Sequence, residues 1–154
     1  MEAPVPVDAA TRQTRFTHIR PTLLALRQQI RDAIDAVHPD AAACLPLPDF
    51  ELPERYTLAA LAPALHRGLF NRRSGVSDAW RRAFDACPHA GRENAIAARE
   101  LTYLWYQVVC RARYYAESTP GRTDDFHYEK ARIPKRITAE LSRVAAAPRT
   151  GATT

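Results

Sequence analysis

Between Pro21 and Asp40 apolar residues recur three or four apart. Leu23, Leu26, Ile30, Ile34 and Val37 line one helical face, while Arg27, Gln28, Arg31, Asp32 and Asp35 fill the other. Pro21 suits the first turn of such a helix, and Pro39 ends it. A second stripe runs through "YTLAALAPALHRGLF" at Leu58, Leu61, Leu65 and Leu69, with Pro63 marking either its start or a kink. After the basic turn "NRRSG", Ser77 can cap a short helix, "DAWRRAFDACP", that buries Trp80, Phe84 and Cys87. The longest pattern covers Glu93 to Glu117, where Ile96, Leu101, Leu104, Trp105, Val108, Ala112 and Tyr115 form a broad apolar stripe. A weaker helix is predicted at "RITAELSRVAAA", with Ile137, Leu141 and Val144 on one side.

The joining segments carry the opposite signal. "AAACLPLPDFELPER" has Pro46, Pro48 and Pro53, which predict an extended connection or a short strand. No hairpin turn and no alternation of strand and helix patterns is present. The expectation is an all-α protein: a four- to five-helix antiparallel bundle with short loops, one domain over residues 1–154, and flexible tails at 1–16 and 148–154. Leu26, Ile30, Leu61, Leu65, Phe84, Leu101, Leu104 and Trp105 are the predicted core. An apolar share of 46% in 154 residues is enough to build one. No apolar run approaches the roughly 20 residues of a membrane span, so no membrane partner is expected. The opening "MEAPVPVDAATRQTRF" lacks the apolar stretch of a secretory signal.

Charge narrows the partners. The net charge is +5, and of 22 basic residues only Lys130 and Lys135 are lysine. Either GC-rich coding or selection for the bidentate guanidinium yields such a bias. The basic residues cluster at predicted helix ends and loops: Arg12, Arg15 and Arg20; Arg67, Arg72 and Arg73; Arg111, Arg113 and Arg122; and Lys130, Arg132, Lys135 and Arg136. Helix-end clusters suit phosphate contact, and Tyr114, Tyr115, Phe126 and Tyr128 lie among them as candidates to stack on bases. The competing reading is a solvated basic surface with the aromatics at the core edge.

Catalytic and metal chemistry find weaker support. "DDFHYE" places Asp124, Asp125, His127 and Glu129 within six residues, and an extended backbone would put Asp125, His127 and Glu129 on one face. Acids pairing with nearby arginines is the simpler account, so no metal or other cofactor is expected. Arg31 to His38 and Arg82 to His89 share a spacing similar to the arginine–histidine motif of HEPN ribonucleases. That spacing is permissive in an arginine-rich chain, and His38 beside Pro39 reads better as a helix C-terminal residue. Cys44, Cys87 and Cys110 are odd in number and widely spaced, which fits reduced thiols in a cytoplasmic protein. The protein is therefore not expected to be an enzyme.

The order of these features resembles the coat proteins of rod-shaped plant RNA viruses of the tobacco mosaic type. The carrying residues are Pro21 opening a helix, Phe50 and Arg55-Tyr56 leading into a helix with Pro63 in its first half, and Phe70-Asn71-Arg72-Arg73 at its end. A long helix, Gly121 and the dipeptide Tyr128-Glu129 follow. The chain departs from the family after that dipeptide, where "KARIPKRI" stands in place of an expected tryptophan. The resemblance implies antiparallel four-helix subunits that self-associate into a large rod around genomic RNA, in a virion or host cytoplasm. It implies that Arg72 and Arg73 neutralise phosphates, and that Tyr128 and Glu129 belong to a segment packing one subunit on the next. With Arg67, Arg111, Arg113 and Arg122 these form the expected RNA-contacting and subunit-packing set. A small helical adaptor or regulator acting through a partner-protein interface remains the alternative.

Overall fold

The computed structural model describes residues 7–45, 47, 50–65, 82, 85–86, 91–117 and 123–146. The elements are α1 (Ala9–Val37), α2 (Ala41–Cys44), α3 (Leu58–Leu65), α4 (Arg92–Glu117) and α5 (Thr123–Ala146). No strand occurs among the described residues, and the protein is an all-α helical bundle.

Helix α1 begins earlier than its apolar pattern suggests. Asp8 accepts a 2.7 Å hydrogen bond from the Thr11 N–H, which satisfies one of the orphan donors of the first turn. That bond, followed by the one from the Thr11 side chain, holds the Asp8 carboxyl below its usual range. Buried Phe16 and Ile19 then continue the seam of Leu23, Leu26, Ile30, Ala33, Ile34 and Val37. Residues 9–16 are therefore not part of a flexible tail. Pro21 sits inside the helix, exposed, rather than at its first turn. Proline disfavours a helix interior by a missing N–H and a ring clash, but the apolar seam on both sides of Pro21 holds the helix together. At the other end the His38 N–H caps the Ile34 carbonyl, and the residue is buried, as expected of a helix C-terminal position.

Helices α1 and α4 run antiparallel. Asn94 at the start of α4 donates to the Val37 carbonyl at the end of α1 at 2.6 Å, and Arg15 near the start of α1 reaches the Ala116 carbonyl at the end of α4 at 3.5 Å. Helices α4 and α5 are antiparallel as well, since Arg132 meets Gln107 while Glu129 meets Arg111. Helix α4 thus packs on both long partners, and α1 also touches α5. The core between them contains Leu101, Leu104, Trp105, Val108, Val109, Phe126 and Ile133. The expected core residues Leu26, Ile30, Leu61, Leu101, Leu104 and Trp105 are all buried; Phe84 and the side chain of Leu65 lie outside the described part.

After the single turn of α2, the described residues of the proline-rich connection, 45, 47 and 50–57, form neither helix nor strand. The connection runs antiparallel along α1 and is strapped to it. Arg20 donates to the Leu52 and Pro53 carbonyls, Gln13 donates to the Glu54 carbonyl, and Gln13 Oε1 accepts from the Tyr56 N–H. Phe50 stacks on Trp105 with ring centroids 5.7 Å apart, and the Arg31 guanidinium lies 5.8 Å from the Phe50 ring centre on this strap. Thr57 caps α3 by accepting from the Ala60 N–H, so α3 starts ahead of Pro63.

Helix α5 is a correction. The sequence pattern predicts only a weak helix from Arg136. Instead the helix starts at Thr123 and runs through Pro134. Buried Phe126, Glu129, Ile133, Ile137 and Glu140 recur every three or four residues, so the apolar seam extends into "DDFHYE" and outweighs Pro134. The extended spacing on which a metal reading of Asp125, His127 and Glu129 depends is therefore absent. The described parts of "NRRSG" and "DAWRRAFDACP" reduce to residues 82, 85 and 86, and the expectations for Trp80, Phe84 and Cys87 lie outside them.

Candidate functional site

Helix α4 presents two stripes. The first is the core. The second, at Tyr103, Tyr106, Gln107, Cys110, Arg111 and Tyr114, has the same three-to-four spacing but a different phase, and it borders an open groove. Across the groove stand Glu129 and Arg132 of α5, and the groove's volume is about 540 Å³. Tyr103 and Tyr106 stack nearly parallel, with ring centroids 6.0 Å apart and planes 16° from each other. Tyr103 and Tyr114 are exposed.

A buried carboxylate organises the polar half. The Glu129 side chain is 3% exposed. Its Oε2 accepts from Arg132 Nη2 at 2.7 Å, and its Oε1 lies 3.8 Å from Arg111 Nε. The same Arg132 nitrogen donates to Gln107 Oε1 at 3.2 Å. Arg132 is thereby fixed from two helices, while the Arg111 side chain remains 49% exposed. Two guanidiniums against one carboxylate leave the groove with one net positive charge. Among the described residues no hydrogen bond engages the Arg111 guanidinium, and of the Arg132 guanidinium only Nη2 is engaged. The groove therefore offers several N–H donors beside an aromatic face. Among the described residues no group of three His, Cys, Asp or Glu side chains is gathered as for a metal ion.

The expected site residues divide. Arg111 and Glu129 come together in the groove. Arg113 does not join them: it pairs with Glu117 at 3.5 Å on another side of α4. Glu129 faces arginines of its own chain instead of lying open as a packing surface would. Tyr128 lies on α5. Arg67, Arg72, Arg73 and Arg122 lie outside the described residues. Arg12, Arg15 and Arg20 donate to carbonyls of their own chain. Of the aromatics proposed to stack on bases, Tyr115 and Phe126 are buried and Tyr114 is exposed, and the side chain of Tyr128 lies outside the described part. Arg132, from the basic cluster at residues 130–136, joins Arg111 in the groove, whereas Tyr103, Tyr106 and Gln107 stand outside the expected set. Their signal is the second stripe on α4, hidden by its nearness to the core stripe; α4, expected to be the longest helix, has 26 residues against 29 in α1, which the Asp8 cap and buried Phe16 and Ile19 extend toward the N-terminus.

Comparison of the chain with protein-family models, with curated protein sequences and with solved structures finds no match, and so nothing that points to a virus coat protein. The class that stands is the all-α helical bundle. None of its described helices is long and apolar enough to cross a membrane.

Proposed function

We propose that the protein binds single-stranded RNA without reading its sequence, and that the α4–α5 groove is part of the binding surface. The observation that supports this is the stacked pair Tyr103 and Tyr106 beside Arg111 and Arg132 in an open, net-positive groove. Aromatic faces stack on any base, and guanidiniums meet phosphate bidentately, so together they bind strands of unrelated sequence. Arg67, Arg72, Arg73 and Arg122 extend the proposed footprint, in keeping with the net charge of +5. Self-association into a coat around genomic RNA is the larger form of this reading, carried by the resemblance. The protein acts as a binder and not as an enzyme.

Filter binding of several unrelated RNAs over a range of salt tests it. Similar affinities are expected, with log K falling against log salt. Replacing Arg72 and Arg73 with alanine should flatten that slope by about 1.4, at roughly 0.7 for each phosphate of a single strand that is no longer neutralised. A wild-type protein that binds none of the RNAs removes the reading. The alternative, a helical adaptor with a protein partner, draws on one observation: Arg12, Arg15, Arg20 and Arg113 are already engaged within the chain. Size-exclusion chromatography read at nucleic-acid and protein wavelengths separates the two. A particle carrying nucleic acid supports the first, and a clean monomer the second.

A further inference from the structure

We infer that the α4–α5 groove is a seat for one nucleoside monophosphate unit, with the base against Tyr103 and Tyr106 and the phosphate against Arg111 and Arg132. This rests on the RNA-binding reading and assigns it a site and a unit size. The stacked tyrosines and Arg111 line the same groove from one helix. Tyr106 and Arg111 are five residues apart, an axial rise of about 7.5 Å with a rotation of about 140°. That places the aromatic and cationic groups on the scale of one nucleotide. The donors also fit one phosphate better than a long track. Among the described residues Arg132 is held by Glu129 and Gln107 through a single nitrogen, Nη2. The Arg111 guanidinium has no hydrogen bond among the described residues. Both guanidiniums are thus anchored by position and open to an anion.

Charge selects the occupant. The groove carries two guanidiniums against one carboxylate, and that carboxylate is almost inaccessible. An acidic group is favoured there and a cation is not. The paired rings add a flat apolar surface that a bare phosphate leaves uncovered. A planar ring joined to a phosphate satisfies both halves. Glu129 is a positioning residue: it orients the two arginines and touches the ligand through neither oxygen.

The same unit occurs in an RNA strand and as a free nucleotide, and the experiment separates the sources. Adenosine monophosphate, adenosine and inorganic phosphate are each titrated into the full chain by NMR, alongside a short single-stranded RNA. The monophosphate should shift Tyr103, Tyr106 and Arg111 signals. Adenosine and phosphate should each bind at least about tenfold more weakly, since each leaves one half of the site empty. Tyr103→Ala should weaken the monophosphate about five- to a hundredfold, the range for removal of one base–aromatic stack. Arg111→Gln should weaken both RNA and monophosphate, and lower the RNA salt slope by about 0.7. Both side chains reach solvent, and circular dichroism and a thermal melt of each variant verify that the fold is kept before its binding is compared. A unit belonging to a strand gives RNA binding much tighter than monophosphate; a free-nucleotide site gives similar affinities. If phosphate binds as well as the monophosphate, or if neither substitution alters RNA binding by a protein that does bind RNA, the seat is overturned while the RNA-binding reading stands. If the protein binds no RNA but takes the monophosphate as described, the seat stands and the RNA reading falls.

Discussion

The three-way contact of Glu129 with Arg132 and Arg111 should respond unequally to removal of its members. Glu129 is 3% exposed, Arg132 24% and Arg111 49%. Replacing Arg132 with glutamine deletes the 2.7 Å charge-assisted bond and leaves a carboxylate that water scarcely reaches. Breaking a buried pair from that side costs about 3–5 kcal/mol. Arg111 stays at 3.8 Å and offsets part of the cost, so about 3 kcal/mol is expected. Replacing Glu129 with glutamine keeps an oxygen that accepts from Arg132, and both guanidiniums reach solvent. That change should cost only about 1 kcal/mol. Urea unfolding followed by circular dichroism measures both. With a slope of about 2 kcal/mol per M, the two midpoints should differ by about 1 M. Arg132→Lys should fall between them, because it keeps the charge and gives up the planar fork. Coincident midpoints, or a larger destabilisation from Glu129→Gln, would refute the picture of an inaccessible carboxylate held by accessible cations.

Three further outcomes follow from the packing. Trp105→Ala should destabilise the fold by about 3–5 kcal/mol, since Trp105 is fully buried against Phe50; an unchanged thermal melt would show that the core face of α4 is misassigned. The Tyr56 hydroxyl is pushed from 10.0 up to about 12, by burial first and the Glu117 charge second. Its neutral form therefore stabilises the fold fully below pH 10, and that contribution is lost as pH rises through 12. Tyr56→Phe should blunt the alkaline fall in stability between those limits, and tyrosinate absorbance that develops for Tyr56 below pH 10 would contradict the shift. Pro21→Ala should raise stability by about 1–3 kcal/mol, because Pro21 is exposed inside a helix it does not favour; a lower melting temperature would mean that the local bend is needed for packing.

The helical class, the extent of α4 and six of the eight expected core residues are legible in the apolar spacing, because a stripe at helical period must be buried somewhere. Local rules fail at the prolines. Pro21 reads as a helix start, and the last helix reads as beginning at Arg136, yet α1 and α5 run through Pro21 and Pro134. Their penalty is local, whereas Phe16, Ile19, Phe126 and Ile133 gain burial only once α4 lies beside them. The site divides in the same way. Arginine richness and the aromatic content of α4 are visible in the residues themselves. Which arginines are committed is not, because that depends on partners far away in the chain: Arg20 on the strap at residues 52–53, Arg15 on Ala116, Arg111 on Glu129. Arg111 and Arg113 show the reason most directly. Two positions apart, they fall on different sides of a helix with 3.6 residues per turn, so one enters the groove and the other pairs with Glu117. Periodicity determined which faces had to be buried; only the antiparallel docking of α5 on α4 decided that a buried carboxylate would stand between two guanidiniums beside a tyrosine stack.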